Sequence, residues 1–239
     1  MSDIKALDKA YVANTYNRFP VEICCGQGSL VYDEAGQEYI DMGSGIAVTS
    51  FGACDPEWIA AVTAQMTTLG HTSNLYYTSP QVKLAEELCR RTGMKKVFFG
   101  NSGAEANECA LKVARKYGVD HYEGKRNVIV TLKNSFHGRT IATLAATGQD
   151  VFHKNFGPFP EGFRHVAAND QAELDAALAT GDVCGLLIEL VQGEGGVLAL
   201  DQDFLTGVQE LCREMGMLLV IDEVQTGNGR CGALYAYMR

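Results

Sequence analysis

The sequence predicts an α/β protein with a mainly parallel sheet flanked by helices. From residue 95 onward, strand-like runs alternate with helical segments, and the strand-like runs are almost continuously apolar. Continuous apolar strands are typical of parallel sheets that helices cover on both faces. Glycine-rich stretches follow these strands, and open α/β sheets bind ligands where the carboxyl ends of their strands meet. We therefore expect a ligand site at that edge of the sheet.

The composition indicates a globular protein without affinity for polyanions. Of the 239 residues, 46% are hydrophobic, and 20 basic against 29 acidic residues give a formal charge of −9. Since no run of Lys or Arg offsets this charge, we expect neither nucleic acid nor membrane as a partner. The N-terminus lacks an apolar signal core, and no apolar run is long enough to span a bilayer. The 8 cysteines show no metal-binding spacing, which predicts a reduced, cytoplasmic protein.

The N-terminal third is predicted to contain an arm, a hairpin and two helices. Residues 1–20 resemble an extended or partly helical arm, and residues 28–45 alternate apolar and polar side chains around the turn DEAGQ. The segments 55–69 and 79–93 each begin with a polar residue followed by proline and continue with helical spacing of apolar residues.

Strands and helices alternate through the rest of the chain. The predicted strands are KKVFF at 95–99, RNVIVTL at 126–132, VCGLLIEL at 183–190 and MLLVID at 217–222. The predicted helices are 103–118, 139–148, 171–180 and 203–216.

The stretch FFGNSGAEANE passes from a predicted strand through small residues into a helix. The amides of Ser102, Gly103 and Ala104 at that N-terminus can hold a phosphate with the help of the helix dipole, and Ser102 adds a hydroxyl. The alternative is that Asn101 or Ser102 only caps the helix.

The heptad NSFHGRT follows the next strand. Phe136 and His137 stand where an aromatic ring can stack on a planar ligand, and Arg139 can bind a carboxylate through two parallel hydrogen bonds. The alternative is a core phenylalanine, a solvated histidine and an arginine in a salt bridge.

Two further motifs admit other enzyme classes. Glu189 and Glu194 lie on the glycine-rich bend IELVQGEGG, and paired carboxylates are typical of glycosidases, although nothing distinguishes an acid from a nucleophile here. The stretch GNGRCG at 227–232 matches a dinucleotide fingerprint, but it does not lead directly from a strand into a helix. A nucleotide-binding dehydrogenase and a non-catalytic binding protein remain alternatives.

Asp222 ends the last predicted strand, directly behind five apolar residues. Burying a carboxylate at the end of a core strand is costly unless a cation meets it. The sequence therefore predicts a cationic group opposite Asp222.

In chain order, NSGAEANE, SFHGRT, VQGEGG and DEVQTGNGR resemble the motifs of the class III, pyridoxal-phosphate-dependent aminotransferases, and the similarity covers almost the whole chain. The resemblance implies part of the large domain of a fold type I pyridoxal-phosphate-dependent transferase. Residues 1–55 would form an N-terminal arm and a hairpin segment of the small domain, and residues 56–239 a partial cofactor-binding large domain. It also implies a homodimer.

The resemblance implies a set of residues that bind pyridoxal 5'-phosphate. They are Ser102, Gly103, Ala104, Phe136, His137, Asp222 and Gln225. Asp222 would face the pyridine nitrogen and keep it protonated, so that the ring withdraws electrons from the substrate, while Gln225 would bond the phenolic oxygen. The phosphate would lie at residues 102–104, and Phe136 would stack on the ring.

For the substrates, the resemblance implies that Arg139 binds the α-carboxylate and that Glu194 is a gate that yields to 2-oxoglutarate. The segments TYNRFPV and GHTSNLYY are most similar to the family members that act on N2-acetylornithine in arginine biosynthesis. Succinylornithine, ornithine and 4-aminobutyrate are the alternatives, because enzymes for all of them share the motifs.

The family's Schiff-base lysine follows DEVQTGNGR, and none of the ten lysines of this chain stands in that context. The resemblance therefore places no catalytic residue in the chain. We expect an N-terminal portion of an aminotransferase that is inactive by itself.

Overall fold

The computed structural model describes residues 4–239, and the chain divides into two compact units, Met1–Thr78 and Ser79–Arg239. The domain boundary that the sequence suggests after residue 55 refers to the domains of the whole family fold. It stays a prediction.

An antiparallel sheet is the main feature of the first unit. Its strands are β1 (Ile23–Gln27), β2 (Leu30–Asp33) and β3 (Glu38–Ile40). They pair in the order β1-β2-β3, and the Asp33 carboxylate closes the turn after β2 by accepting hydrogen bonds from the amides of Ala35 and Gln37. This sheet confirms the hairpin predicted over residues 28–45.

Three helical segments also lie in the described part of the first unit. They are α1 (Ile4–Tyr11), the single turn α2 (Ser44–Ala47) and α3 (Pro56–Leu69). The Asp55 carboxylate accepts a hydrogen bond of 2.8 Å from the Trp58 amide at the start of α3, and Pro56 occupies the first helical position. This arrangement confirms the predicted cap, because it satisfies an amide that has no partner within the helix.

A parallel sheet forms the centre of the second unit. Its strands are β4 (Val128–Leu132), β5 (Phe163–Val166), β6 (Val183–Ile188) and β9 (Leu218–Ile221). They lie in the order β5-β4-β6-β9, and each neighbouring pair is parallel. A short antiparallel ribbon joins β7 (Val191–Gln192) and β8 (Leu198–Ala199).

Helices of the second unit precede these strands or connect them. They are α4 (Ser79–Thr92), α5 (Gly103–Tyr122), α6 (Ile141–Ala146), α7 (Gln171–Leu178) and α8 (Gln202–Met215), with 3-10 helices at Asp150–Phe152 and Ala236–Met238. Parallel strands require such crossover connections, so the order of elements confirms the predicted α/β class. Within residues 4–239, no helix is both long and apolar enough to pass through a bilayer.

The core lies on both faces of this sheet. On β6, Leu186 and Ile188 pack into a cluster that contains Phe204 and Val208 of α8, whereas Leu187 packs into a second cluster that includes Leu111 and Ala114 of α5. Successive side chains of a strand point to opposite faces, so a strand covered on both faces must be apolar throughout. That requirement explains the continuous apolar run VCGLLI.

The predicted strand at 95–99 is wrong. These residues form no strand, and Val97 and Phe98 instead line a cavity of about 380 Å³ that Leu219 and Ile221 of β9 also line. A strand is defined by hydrogen bonds to a neighbouring strand, and residues 95–99 have none within the described part of the chain. Val97 is half-buried, whereas Phe98 and Phe99 are exposed, so this apolar run predicts neither pairing nor full burial.

Candidate active site

The carboxyl ends of β4, β6 and β9 meet at one edge of the sheet, because the three strands are parallel neighbours. The NSFHGRT segment follows β4, the VQGEGG segment follows β6, and Asp222 follows β9 directly. The N-terminus of α5 reaches the same edge: a Cβ atom added to Gly103 would lie 2.6 Å from Cγ2 of Val224. The structure thus brings together the four motifs that the sequence singles out.

Two further contacts tie these segments to one another. Gly138 has a φ of +132° and packs against α5, where an added Cβ would lie 2.7 Å from the Cβ of Ala104. The Asn134 side-chain amide donates a hydrogen bond of 2.8 Å to the carbonyl of Gly195. The close approach of backbone at Gly103 and Gly138 requires residues without a side chain.

Asp222 is buried, with 7% of its surface exposed, and it is held by three hydrogen-bond donors. Its Oδ2 accepts from Asn107 Nδ2 at 2.8 Å and lies 2.9 Å from His137 Nδ1, while its Oδ1 accepts from the amide of Val224 at 3.0 Å. Burial raises the pKa of this carboxyl, but the hydrogen bond and charge of His137 and the hydrogen bond of Asn107 outweigh it and hold the pKa below its ordinary value. Asp222 is therefore ionised at neutral pH.

Glu189 is a second buried carboxyl at this edge, with 5% of its surface exposed. It accepts hydrogen bonds from the amides of Phe136 at 3.0 Å and Gly193 at 3.3 Å, so it links the segment after β4 to the segment after β6. Burial is the main cause that raises the pKa of Glu189, and the nearby charge of Asp222 adds to it. Glu189 therefore has a structural role, which differs from the role of a carboxylate in the active site of a glycosidase.

The N-terminus of α5 retains unused hydrogen-bond donors. Ser102 caps the helix, since its hydroxyl accepts from the amide of Glu105 at 3.2 Å and its carbonyl accepts from the amide of Ala106 at 3.0 Å. Within residues 4–239, the amides of Gly103 and Ala104 donate to no protein atom. A cap and an anion site are thus compatible here, because the cap satisfies only part of the helix terminus.

Phe136 and Arg139 are gathered around an aromatic residue that the sequence analysis missed. Phe152 lies in the 3-10 helix after α6, and its ring meets that of Phe136 edge-on with centroids 5.8 Å apart. The Arg139 guanidinium lies 5.4 Å from the centroid of Phe152 and 5.8 Å from that of Phe136. Phe152 is thirteen residues from Arg139 in the sequence, and no local pattern indicates the contact.

The remaining predicted site residues, Gln225 and Glu194, contact each other. Gln225 Nε2 donates to Glu194 Oε1 at 3.2 Å near the surface. Lys133 is the lysine closest in sequence to Phe136. Its Nζ forms a salt bridge of 2.6 Å with Glu173 Oε1. The sequence analysis also missed Asn107, although it lies one helical turn after Gly103 in the quoted motif.

A parallel α/β sheet with a buried acid behind one strand, and with a helix N-terminus that has unused amide donors beside it, is an arrangement that can hold a phosphate-containing cofactor. The model of the class-III aminotransferase family matches residues 11–239, and the chain belongs to this family. This assignment confirms the resemblance inferred from the four motifs. It removes the glycosidase and dehydrogenase alternatives that isolated motifs allowed.

Among curated relatives, the acetylornithine aminotransferase of Haemophilus ducreyi is 53% identical over 236 residues, which are 99% of this chain and 60% of that protein. The acetylornithine aminotransferase of Caldanaerobacter subterraneus is 46% identical over 230 residues, which are 96% of this chain and 58% of that protein. The chain therefore spans about 60% of the length of these relatives.

Solved structures share the fold. An ornithine aminotransferase from Toxoplasma gondii, in which pyridoxal phosphate partly occupies the active site, superimposes with a TM-score of 0.93 at 35% identity, covering 99% of this chain and 56% of the other. An N-acetylornithine aminotransferase from Stenotrophomonas maltophilia has a TM-score of 0.81 at 39% identity, covering 98% and 57%. The predicted fold class, a type I transferase large domain, is confirmed.

We expect Glu189→Gln to change the dependence of stability on pH. The raised pKa means that the folded protein retains a proton that the unfolded chain loses, so the wild type loses stability as the pH rises from about 4.5 toward that raised pKa. The variant lacks this titration, so its free energy of unfolding should gain on the wild type across that window by at most about 1.4 kcal/mol per pH unit. Urea unfolding at several pH values measures the difference.

Glu173→Gln is the matched control with the opposite sign. The hydrogen bond from Lys133 is the main cause that lowers the pKa of Glu173, so the wild type loses stability relative to this variant as the pH falls through that pKa. A pH-independent difference for Glu189→Gln would show that folding does not raise the pKa of the buried carboxyl.

Proposed function

We propose that the chain carries the cofactor site of a pyridoxal-phosphate-dependent aminotransferase that transfers the amino group of N2-acetylornithine to 2-oxoglutarate. The observation that carries this proposal is the ionised, buried Asp222, which lies at the end of β9 beside the N-terminus of α5. A cationic heterocycle with a phosphate arm matches both features. The relatives named acetylornithine aminotransferase, which match nearly the whole chain, support the choice of substrate.

The residues present fit pyridoxal phosphate on two counts. The amides of Gly103 and Ala104 have no acceptor within residues 4–239, and an anion at the start of the twenty-residue helix α5 is stabilised by them and by the helix dipole. Asp222 keeps its charge in a buried position, and a carboxylate and a pyridinium stabilise each other there. We assign Ser102, as the cap of α5, a hydroxyl contact to the same phosphate.

In the proposed mechanism, pyridoxal phosphate supplies the electron sink that makes the α-proton of an amino acid removable. Asp222 would hold a proton on the ring nitrogen, because its negative charge lies in a region of low dielectric where it acts strongly. Phe136 would cover one face of the ring and exclude water from it. His137 belongs to the same site through its contact with Asp222, and Gln225 is assigned to the phenolic oxygen.

Substrate binding is assigned to Arg139 and Glu194. The two aromatic rings around Arg139 restrict its guanidinium, and a restricted guanidinium loses less entropy when it binds a carboxylate. Glu194 accepts a hydrogen bond from Gln225 near the surface and is proposed as the gate that yields to 2-oxoglutarate. A homodimer of the complete enzyme, with its Schiff-base lysine outside these residues, completes the proposal.

Asp222→Asn tests the cofactor assignment. In a complete class-III enzyme that carries these residues, we expect the variant to lose most turnover but to retain pyridoxal phosphate, because an amide cannot hold the proton on the ring nitrogen. The rate constant for turnover and the cofactor content measure this. Asp203→Asn, on the exposed start of α8, is the control, and turnover of Asp222→Asn within a few-fold of wild type would exclude the assignment.

Arg139→Ala tests substrate binding in the same enzyme. We expect the Michaelis constants for the amino donor and for 2-oxoglutarate to rise together, because both present an α-carboxylate to one guanidinium. Loss of a bidentate charge-assisted contact costs about 2–3 kcal/mol, which corresponds to roughly 30- to 150-fold. Arg213→Ala, on the exposed face of α8, is the matched control. If the Michaelis constants for both substrates are unchanged, Arg139 does not bind the α-carboxylate and its role is structural.

A panel of amino donors tests the substrate itself. We expect N2-acetylornithine to give the highest specificity constant when it is compared with succinylornithine, ornithine and 4-aminobutyrate under the same conditions. A higher value for any of the other three would reassign the substrate and leave the cofactor assignment intact.

A further inference from the structure

Asn107 uses its side-chain amide nitrogen for two hydrogen bonds inside the protein. Its exposed fraction is 5%, and its Nδ2 donates to Asp222 Oδ2 at 2.8 Å and to the carbonyl of His137 at 2.9 Å. Both neighbours accept hydrogen bonds only, so the nitrogen of the amide must face them. Asn107 therefore joins the acid after β9 to the segment after β4.

The carboxylate of Asp222 is fixed at both oxygens. Asn107 and His137 reach Oδ2, and the amide of Val224 reaches Oδ1. The backbone of His137 is itself fixed, because its amide donates to the Thr147 hydroxyl at 3.0 Å. The Nε2 atom of His137 is buried and has no hydrogen-bond partner in the described part of the chain. A carboxylate held in this way cannot rotate without losing a charge-assisted hydrogen bond.

The helix α5 carries both Asn107 and the free amides of Gly103 and Ala104. Asn107 follows Gly103 by four residues, which is one turn, so the two lie on the same face of a rigid helix. The helix is joined to the end of β9 at two points, by the packing of Gly103 against Val224 and by the hydrogen bond from Asn107 to Asp222. These two joints fix the anion-binding amides and the acid relative to each other.

We propose that Asn107 is a positioning residue, which sets the orientation of Asp222 toward the ring nitrogen of a cofactor whose phosphate lies at the start of the same helix. The inference rests on the proposed function and deepens it. Asn107 touches neither reacting atom, so it acts through Asp222. Removing its donor should weaken recognition of the ring nitrogen while recognition of the phosphate is retained.

The test compares pyridoxal 5'-phosphate with its 1-deaza analogue, in which a CH group replaces the ring nitrogen. Both are titrated into the cofactor-free complete enzyme, and inorganic phosphate is measured by competition. We expect the wild type to prefer pyridoxal phosphate by roughly tenfold or more, since a hydrogen bond to a charged group is worth about 1.5–3 kcal/mol. In Asn107→Leu, which lacks the donor, the preference should fall at least about fivefold, and phosphate affinity should stay within about twofold of the wild type.

Asn107→Ala is the second variant, because it removes the donor and adds neither bulk nor charge beside Asp222. If Asn107→Leu loses phosphate affinity through misfolding, this second variant shows whether Asn107 positions Asp222. Asn155→Leu, at an exposed position in the loop after α6, controls for the substitution and should keep the wild-type preference.

The outcomes separate the two proposals. If the wild type prefers pyridoxal phosphate and both Asn107 variants keep that preference, Asn107 does not position Asp222, and the proposed function stands. If both variants lose phosphate affinity, Asn107 is a structural residue, and the inference is overturned. If the wild type does not distinguish the two cofactors, the assignment of Asp222 fails, and the inference fails with it.

Discussion

The buried Asp222 carboxylate needs hydrogen-bond donors to stay ionised, and this need is the constraint that the surrounding structure satisfies. An unpaired buried carboxylate would take up a proton rather than stay charged, so a site that needs the charge must provide donors from several directions. Here the donors come from three chain segments: Asn107 on α5, His137 after β4 and the backbone amide of Val224. The fold is needed to bring them together, because no single segment carries all three.

The parallel sheet makes this convergence possible. Since β4, β6 and β9 are parallel neighbours, their carboxyl ends lie at one edge, and each strand contributes the residues that follow it. The apolar faces of the strands hold the edge in place through two core clusters, which α5 and α8 complete on opposite sides. The position of Asp222 therefore depends on core packing that has no contact with a ligand.

Much of this structure could be predicted from the sequence, for identifiable reasons. The strands β6 and β9 are continuous apolar runs, and the helix starts at Asp55 and Ser102 have capping side chains, so local chemistry determines them. The strand β5 escapes prediction because FRHV mixes charged and apolar residues at the edge of the sheet. The strand predicted at residues 95–99 is wrong because pairing depends on a neighbour that a local pattern does not contain.

The four motifs of the site could likewise be found from the sequence, whereas the contacts between them could not. Asn107 and Asp222 are separated by 115 residues, and a single asparagine in a helix does not show which carboxylate it will reach. The same holds for Phe152, whose ring meets Phe136 only after the loop beyond α6 folds back. Motifs identify the segments that meet, and tertiary packing decides which side chains touch.

The two buried carboxyls at this edge differ in the direction of their pKa shifts. Glu189 receives hydrogen bonds from two backbone amides, yet burial and the charge of Asp222 still raise its pKa, whereas His137 and Asn107 lower that of Asp222. Because like charges repel each other strongly in a region of low dielectric, the side-chain donors of Asp222 favour ionisation of that carboxyl over ionisation of Glu189. The carboxylate with side-chain donors is the one suited to a cationic partner, and Glu189 instead links the two loops through the backbone amides of Phe136 and Gly193.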